Sequence, residues 1–171
     1  MPIYMNLPGS LKGTGPVTAE GFKGWISLDS CSQNVERPVI EGTAAAKNRE
    51  WGAPKVAPFE CSMKVDNSTP YMAKWSMGQP VQGDGIVEIA FVRTGDSGYL
   101  RYATIKLSAV ILSNFSFNTS NSMEEKGTVE FKLSFLGIHF EFQQYNEDGG
   151  ATSDGKVIGQ YDQRTAKAAY A

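Results

Sequence analysis

Short runs in which apolar and polar residues alternate dominate this chain, and a period of two is the signature of strands with one buried face. The first is PIYMNL, with Ile3, Met5 and Leu7 on one side, ended by Pro8-Gly9 and a Gly-rich turn through Gly15. FKGWISLD follows with Trp25 as its apolar anchor, and FECSMKV sets Phe59, Cys61, Met63 and Val65 at alternate positions. GIVEIAFVR and YLRYATIKL flank the Gly-containing loop TGDSG and read as a hairpin. After AVILSNFSF, the run TVEFKLSFLGIHFEFQQY supplies a pair of strands: Val129, Phe131, Leu133 and Phe135 share one face, and Ile138, Phe140 and Phe142 share one face of the partner. Polar residues fill the alternate places, so one face is wet. From Cys31 to Pro58 the alternation disappears, and so long a connection in a compact domain is usually functional or disordered. The tail from Asn146 reads as polar and turn-rich.

One stretch breaks this period. In SMKVDNSTPYMAKWSMGQPV, Tyr71, Met72 and Trp75 recur at helical spacing. Ser68 or Thr69 can cap the helix, Pro70 suits its first position, Gly78 suits a left-handed exit and Pro80 prevents continuation. Such a helix falls below the roughly 12–15 residues at which isolated helices become marginal, so packing must hold it. Tyr71 and Trp75, four apart, are the side chains expected against a sheet. Eight or so strands and one outer helix predict a mainly β fold over residues 1–171: one domain, a small antiparallel β-barrel of two packed sheets, closed or nearly closed. Phe131, Phe135, Phe140 and Phe142 are expected to point inward and fill it.

Composition adds limits. The 171 residues are 41% apolar and 20% charged, an ordinary globular balance. A net charge of −2 gives no long-range attraction for nucleic acid or an anionic membrane. The N-terminus has no basic region followed by a sustained apolar stretch, so the expectation is a protein made in the cytosol, with no membrane insertion and any export independent of a signal peptide. Cys31 and Cys61, the only cysteines, read as two half-buried thiols rather than a bridge.

Candidate chemistry is sparse. Gly95-Asp96-Ser97-Gly98 looks like the surroundings of a serine nucleophile, but the single histidine, His139, follows it, and no third group is set to orient a base. Gly13-Thr14-Gly15 and Gly83-Asp84-Gly85 lack the strand–helix context and the lysine of a phosphate loop, and read as turns. One His and two distant Cys do not make a metal site. Asn67-Ser68-Thr69, Asn114-Phe115-Ser116 and Asn118-Thr119-Ser120 fit the glycosylation pattern but read as polar turns and caps, and Glu124-Glu125 reads as a solvated loop. The expectation is no enzyme, no cofactor and no metal. The pattern leaves self-assembly and ligand binding in a barrel mouth both open.

The order of several segments resembles the haemolysin-coregulated protein family, the tube subunits of bacterial type VI secretion. GWISLDSCSQNV is similar to that family's second strand, REWGAPKV to the stretch closing its long loop, and KVDNSTPYMAKWSMG to its stretch from an Asp (Asp66) through a Pro to a short helix. ATIKLSAVILSNFSF and GTVEFKLSFLGIHFEF match its later strands, and GKVIGQYDQRTAKA resembles its end, with Gln160 interrupting the usual Gly-Tyr-Asp. The resemblance implies a homo-hexameric ring, stacking of rings into a tube within contractile sheath proteins, a spike protein at the tip, effectors in the lumen, secretion by the type VI pathway and no chemistry. The alternatives are a phage-derived tube subunit and a small-ligand-binding barrel. Within the loop from Glu36 to Trp51, Arg37, Glu41, Arg49, Glu50 and Trp51 are the residues expected to make ring or stacking contacts, because they combine both charge signs with an aromatic anchor.

Overall fold

Alternation becomes strand wherever the apolar set has a surface to cover. In this computed structural model the described residues are 1–171 without 41–49, 52, 79–82, 84, 96–97, 121–125, 147–149, 166 and 171, with backbone alone at 40, 50–51, 95, 151–154 and 167–170. In chain order they form β1 (Ile3–Asn6), β2 (Ile26–Leu28), β3 (Ser30–Ser32), β4 (Val35–Glu36), β5 (Val39–Ile40), β6 (Glu50–Trp51), β7 (Lys55–Val56) and β8 (Phe59–Lys64). Then come the helix α1 (Thr69–Ser76) and the strands β9 (Val87–Gly95), β10 (Gly98–Ser108), β11 (Ile111–Asn118), β12 (Thr128–Ser134), β13 (Gly137–Tyr145), β14 (Ala151–Asp162) and β15 (Lys167–Tyr170).

A large sheet of seven strands, ordered β15-β14-β13-β10-β9-β1-β2, packs on a small sheet of four, β11-β12-β8-β3. Neighbours are antiparallel throughout both. The expected two-sheet, mainly β fold is present, but among the described strands no hydrogen-bonded seam closes it into a barrel. Instead the chain passes from sheet to sheet at three short corners, and once more by way of α1 between β8 and β9. At Asp29, between β2 and β3, the backbone N–H donates to Ser62 O at 2.9 Å. At Ala109, between β10 and β11, φ is 52°, an uncommon value for a residue with a Cβ. At Phe135-Leu136, between β12 and β13, the Leu136 N–H donates to Ser108 O and the Gln163 side-chain amide donates to Phe135 O.

The third corner corrects one expectation. β12 pairs with β11 and β8, whereas β13 pairs with β10 and β14, so the two runs are not a hairpin. A strand that turns a corner keeps its apolar residues toward the same core on both sides, and in sequence that looks the same as a hairpin. The β9–β10 hairpin forms as expected, with Gly95 opposite Gly98.

The core between the sheets holds Met5, Ile26, Phe59, Met63, Met72, Ile89, Leu107, Val129, Phe131 and Leu133 among others. A second cluster, Tyr4, Phe22, Trp25, Ala90 and Val92, lies on the other face of β1 and β9. There Phe22 meets Trp25 edge-on at 5.2 Å, and the Arg101 guanidinium lies over both rings. The loop covering it needs glycine: a Cβ on Gly15 would fall 2.1 Å from Trp25 O, and one on Gly24, at φ +79°, 2.7 Å from Gly13 Cα. Gly13-Thr14-Gly15 is therefore a site of close backbone approach.

Helix α1 starts at a reciprocal cap: the Asp66 carboxylate accepts from the Ser68 N–H and hydroxyl, and the Thr69 hydroxyl accepts from the Asp66 N–H. Pro70 stands in its first turn, and Gly78, at φ +92°, provides the left-handed exit. Met72 and Trp75 are buried, whereas Tyr71 is 46% exposed, which corrects the expected Tyr71–Trp75 contact face. The buried stripe runs through Ser68, Met72 and Trp75 and leaves Tyr71 on its shoulder. The helix lies against β11, an edge of the small sheet, and so blunts an edge that would otherwise be open.

Two more expectations are corrected. The stretch from Cys31 to Pro58 carries β3 and an arm built of two short ribbons, β4 with β7 and β5 with β6. Two-residue strands are too short to show a period. The tail holds β14 and β15, the end of the large sheet. Its strands were illegible because Val157 is exposed and few large apolar residues mark the alternation.

Candidate subunit interface

The two sheets differ in width, and this leaves part of an apolar face without cover. Along β13, Ile138 is buried, but Phe140 and Phe142, on the same side, are 42% and 49% exposed. This corrects the expectation that both rings fill the interior; Phe131 and Phe135 do so. The cross-strand rows show where coverage ends. Ile105, Phe140 and Gly159 lie side by side on β10, β13 and β14, and Ile105 is buried while its neighbour is not. The next row runs Phe91, Ala103, Phe142, Val157, and Val157 is 62% exposed. A Cβ placed on Gly159 would meet nothing within 4 Å, so the face stays open across β14. Beyond Phe91, the Arg93 guanidinium lies 5.3 Å from the Tyr145 ring centre, and its Nε is buried without a hydrogen-bond partner. The result is an apolar strip bordered by an unsatisfied donor, the composition of an interface core and rim.

The opposite face of the same strands is polar. Glu141 pairs with Lys156 at 3.0 Å and with His139 at 3.7 Å, while Arg101 pairs with Glu88 at 2.6 Å. The hydrogen bond from Lys156 is the main cause that holds the Glu141 carboxyl below its usual range, and His139 adds to it. The outer face of the small sheet is rich in hydroxyl groups, with Ser30 bonded to Ser62 at 2.7 Å and Lys132 paired with Glu60. An open groove of about 350 Å³ runs beside Lys106, Ser108, His139, Gln160 and Asp162 at the end of β10, β13 and β14.

The residues singled out in the sequence fall as follows. Arg37 is exposed just beyond β4. Glu50 and Trp51 form β6, opposite Ile40 and Val39, so the arm brings them to one ribbon. Glu41 and Arg49 lie outside the described residues, as do Asp84, Asp96, Ser97, Glu124 and Glu125. His139 stands at a partly exposed polar position of β13. Asn67-Ser68-Thr69 leads into α1, where Ser68 makes no side-chain capping bond of its own and its N–H donates to Asp66, whereas Asn114 and Ser116 sit within β11 and not in a turn. Among the described residues no three His, Cys, Asp or Glu side chains gather as metal ligands, and no helix is long and apolar enough to cross a membrane. Sequence reasoning missed Val157 and the exposure of Phe140 and Phe142. The available signal was length: β13 and β14 have 9 and 12 residues, against 6 in β8 and 7 in β12.

Comparison with known proteins gives a consistent result. The model of a family described as type VI secretion system effector, Hcp, matches residues 4–142. No match was found among curated proteins. A solved structure described as a type six secretion system protein superposes with a TM-score of 0.84, covering 98% of this chain and 99% of its own at 14% identity. Hcp1 from Salmonella typhimurium gives 0.72 over 98% of each chain at 17% identity. A mutant Hcp1 from the E. coli EAEC 042 pathovar also gives 0.72, over 95% of this chain and 99% of its own at 18% identity. At such identities these three share the fold with this chain.

Proposed function

The chain belongs to the Hcp family of type VI secretion, structural tube proteins secreted by that pathway, and on this premise we propose which of its surfaces build the tube. Hcp proteins form hexameric rings that carry effectors, and this chain is a tube protein of that kind. The proposed ring contact is the uncovered strip of the large sheet, Phe140, Phe142 and Val157, seated against a neighbouring copy. One observation carries this reading: the alternation of β13 stays apolar beyond the point where the small sheet covers it. A strand keeps large apolar residues on an open face at a cost in solubility unless another surface buries them. Repeating one head-to-tail contact around an axis closes a ring.

The arm is assigned to contacts between rings, with Arg37, Glu41, Arg49, Glu50 and Trp51 as the contact residues. Val35 and Val39 of its ribbons are exposed, and its mixed charges suit a copy of itself. The spike, the sheath and the effectors are the further partners. Assembly takes place in the bacterial cytoplasm before export.

Native mass spectrometry tests the ring contact. The parent chain is expected as a hexamer, and Phe142→Asp as a monomer with unchanged melting behaviour. Hexamers from Phe142→Asp, or a parent that stays monomeric over a wide concentration range, would overturn it. Replacing residues 41 to 48 with a short Gly/Ser connection is expected to leave rings intact and abolish tubes. Normal tubes from that variant would remove the arm from stacking.

A further inference from the structure

We propose that Cys31 and Cys61 are a modification site: they close into an intramolecular disulfide that pins the base of the arm to the small sheet when the protein meets a disulfide oxidant. The two cysteines are far apart in sequence, but β3 and β8 set them directly opposite each other, between the pairs Ser30–Ser62 and Ser32–Glu60. Directly opposed residues of an antiparallel pair have Cα atoms about 4.5 or 5.5 Å apart and side chains on the same face. Both spacings fall within the roughly 4.4–6.8 Å that a disulfide spans. Both thiols are free, and both face the core.

Their surroundings differ in a useful way. Cys61 is 5% exposed, on a strand paired on both sides, whereas Cys31 is half-buried on the edge strand β3, where a small oxidant can reach it. Burial pushes both thiols above the ordinary range, and more strongly at Cys61. Cys31 is therefore the entry point and Cys61 the resolving partner. The Ser30 hydroxyl bonded to Ser62 at 2.7 Å holds the register one residue away.

With oxidised glutathione as the disulfide donor, the Cys31 thiolate attacks one glutathione sulfur, breaks the donor S–S bond and releases one glutathione thiolate. The Cys61 thiolate then attacks Cys31 Sγ in the mixed disulfide and expels the second. The two cysteines lose two electrons and two protons, and one glutathione disulfide becomes two thiols. The segment enclosed by the new bond is the whole arm, β4 to β7. That closure would steady contacts between stacked rings rests on the assignment of the arm above; the bond itself does not.

Intact-mass analysis and peptide mapping of the full chain, after incubation with oxidised glutathione in mildly alkaline buffer, test the site. The expected result is loss of two hydrogens without a retained glutathione, a peptide joining Cys31 to Cys61, loss of both alkylatable thiols and recovery of both on reduction. Cys31→Ser should yield no cross-linked peptide. Two thiols still alkylatable after incubation, a stable glutathione adduct at Cys31, or disulfide-linked dimers would each overturn the proposal. The peptide map reads the same whether the protein is a ring or a monomer, so failure of the ring reading would leave this result standing.

Discussion

The small sheet and the large sheet are built from similar strands but bury them differently. The two central strands of the small sheet turn their whole apolar sets inward: the edge strand β11 leaves Ile111 and Phe117 exposed, but β8 and β12 alternate buried and exposed or half-buried residues along their full length. The large sheet does so only where the small sheet lies over it, and β13 and β14 carry apolar residues into the open. Burial along β8 and β12 is complete within one chain. Along β13 and β14 it is left open within one chain, and the proposed ring contact would complete it. The same residue type, a phenylalanine on an alternating strand, thus stabilises the fold at one place and, in the proposed ring contact, the assembly at another.

The largest effect should separate these roles. Phe131→Ala, at 1% exposure, is expected to cost about 3–5 kcal/mol of folding stability. Phe142→Ala, on the open face, should cost the isolated chain no more than about 1 kcal/mol. Denaturant unfolding of both variants as monomers checks the pair, and equal losses would mean that the two faces are not distinct.

Helix α1 repeats the contrast on a smaller scale. Trp75→Ala is expected to destabilise by about 3–5 kcal/mol because its ring enters the core, whereas Tyr71→Ala, on the helix shoulder, should stay within about 0.5 kcal/mol of the parent. Thermal unfolding of the two variants decides, and a Trp75 variant that melts like the parent would place that ring outside the core.

The smallest effect lies on the polar side of the large sheet. The folded-state pKa of Glu141 is depressed, so its pairing stabilises the fold above the ordinary value of 4.5 and the contribution is lost as pH falls through the folded value. Both partners are partly exposed, which holds the effect under about 1 kcal/mol. Glu141→Gln should therefore melt slightly below the parent at neutral pH, and the gap should close as acid protonates the carboxylate of the parent. A gap that persisted at acid pH would assign the difference to packing.

How far the sequence disclosed this depended on what each residue faces. The strands around Met63, Ile89 and Phe131 were legible because each meets a complete core and its neighbours alternate cleanly. Gly78 and Pro70 marked the helix, since the backbone leaves few choices at those places. The corner at Phe135-Leu136 was not legible, because alternation records which side is dry and not which strand is adjacent. Nor was the open strip: Phe140 and Phe142 are written like core residues, and only the shorter reach of the opposite sheet distinguishes them. The pairing of Cys31 with Cys61 depends on register between strands distant in sequence, which local pattern cannot give.

The three corners have a mechanical consequence. A sandwich whose sheets touch only through side chains can shear, because sliding one layer over the other exchanges one set of van der Waals contacts for another. Here the backbone itself crosses between layers at Asp29, at Ala109 and at Phe135-Leu136. Displacing the sheets therefore means straining covalent chain and breaking strand hydrogen bonds at three anchors together. A subunit stitched in this way behaves under thrust as one stiff block, which is what a column of stacked parts needs if force applied at one end is to arrive at the other.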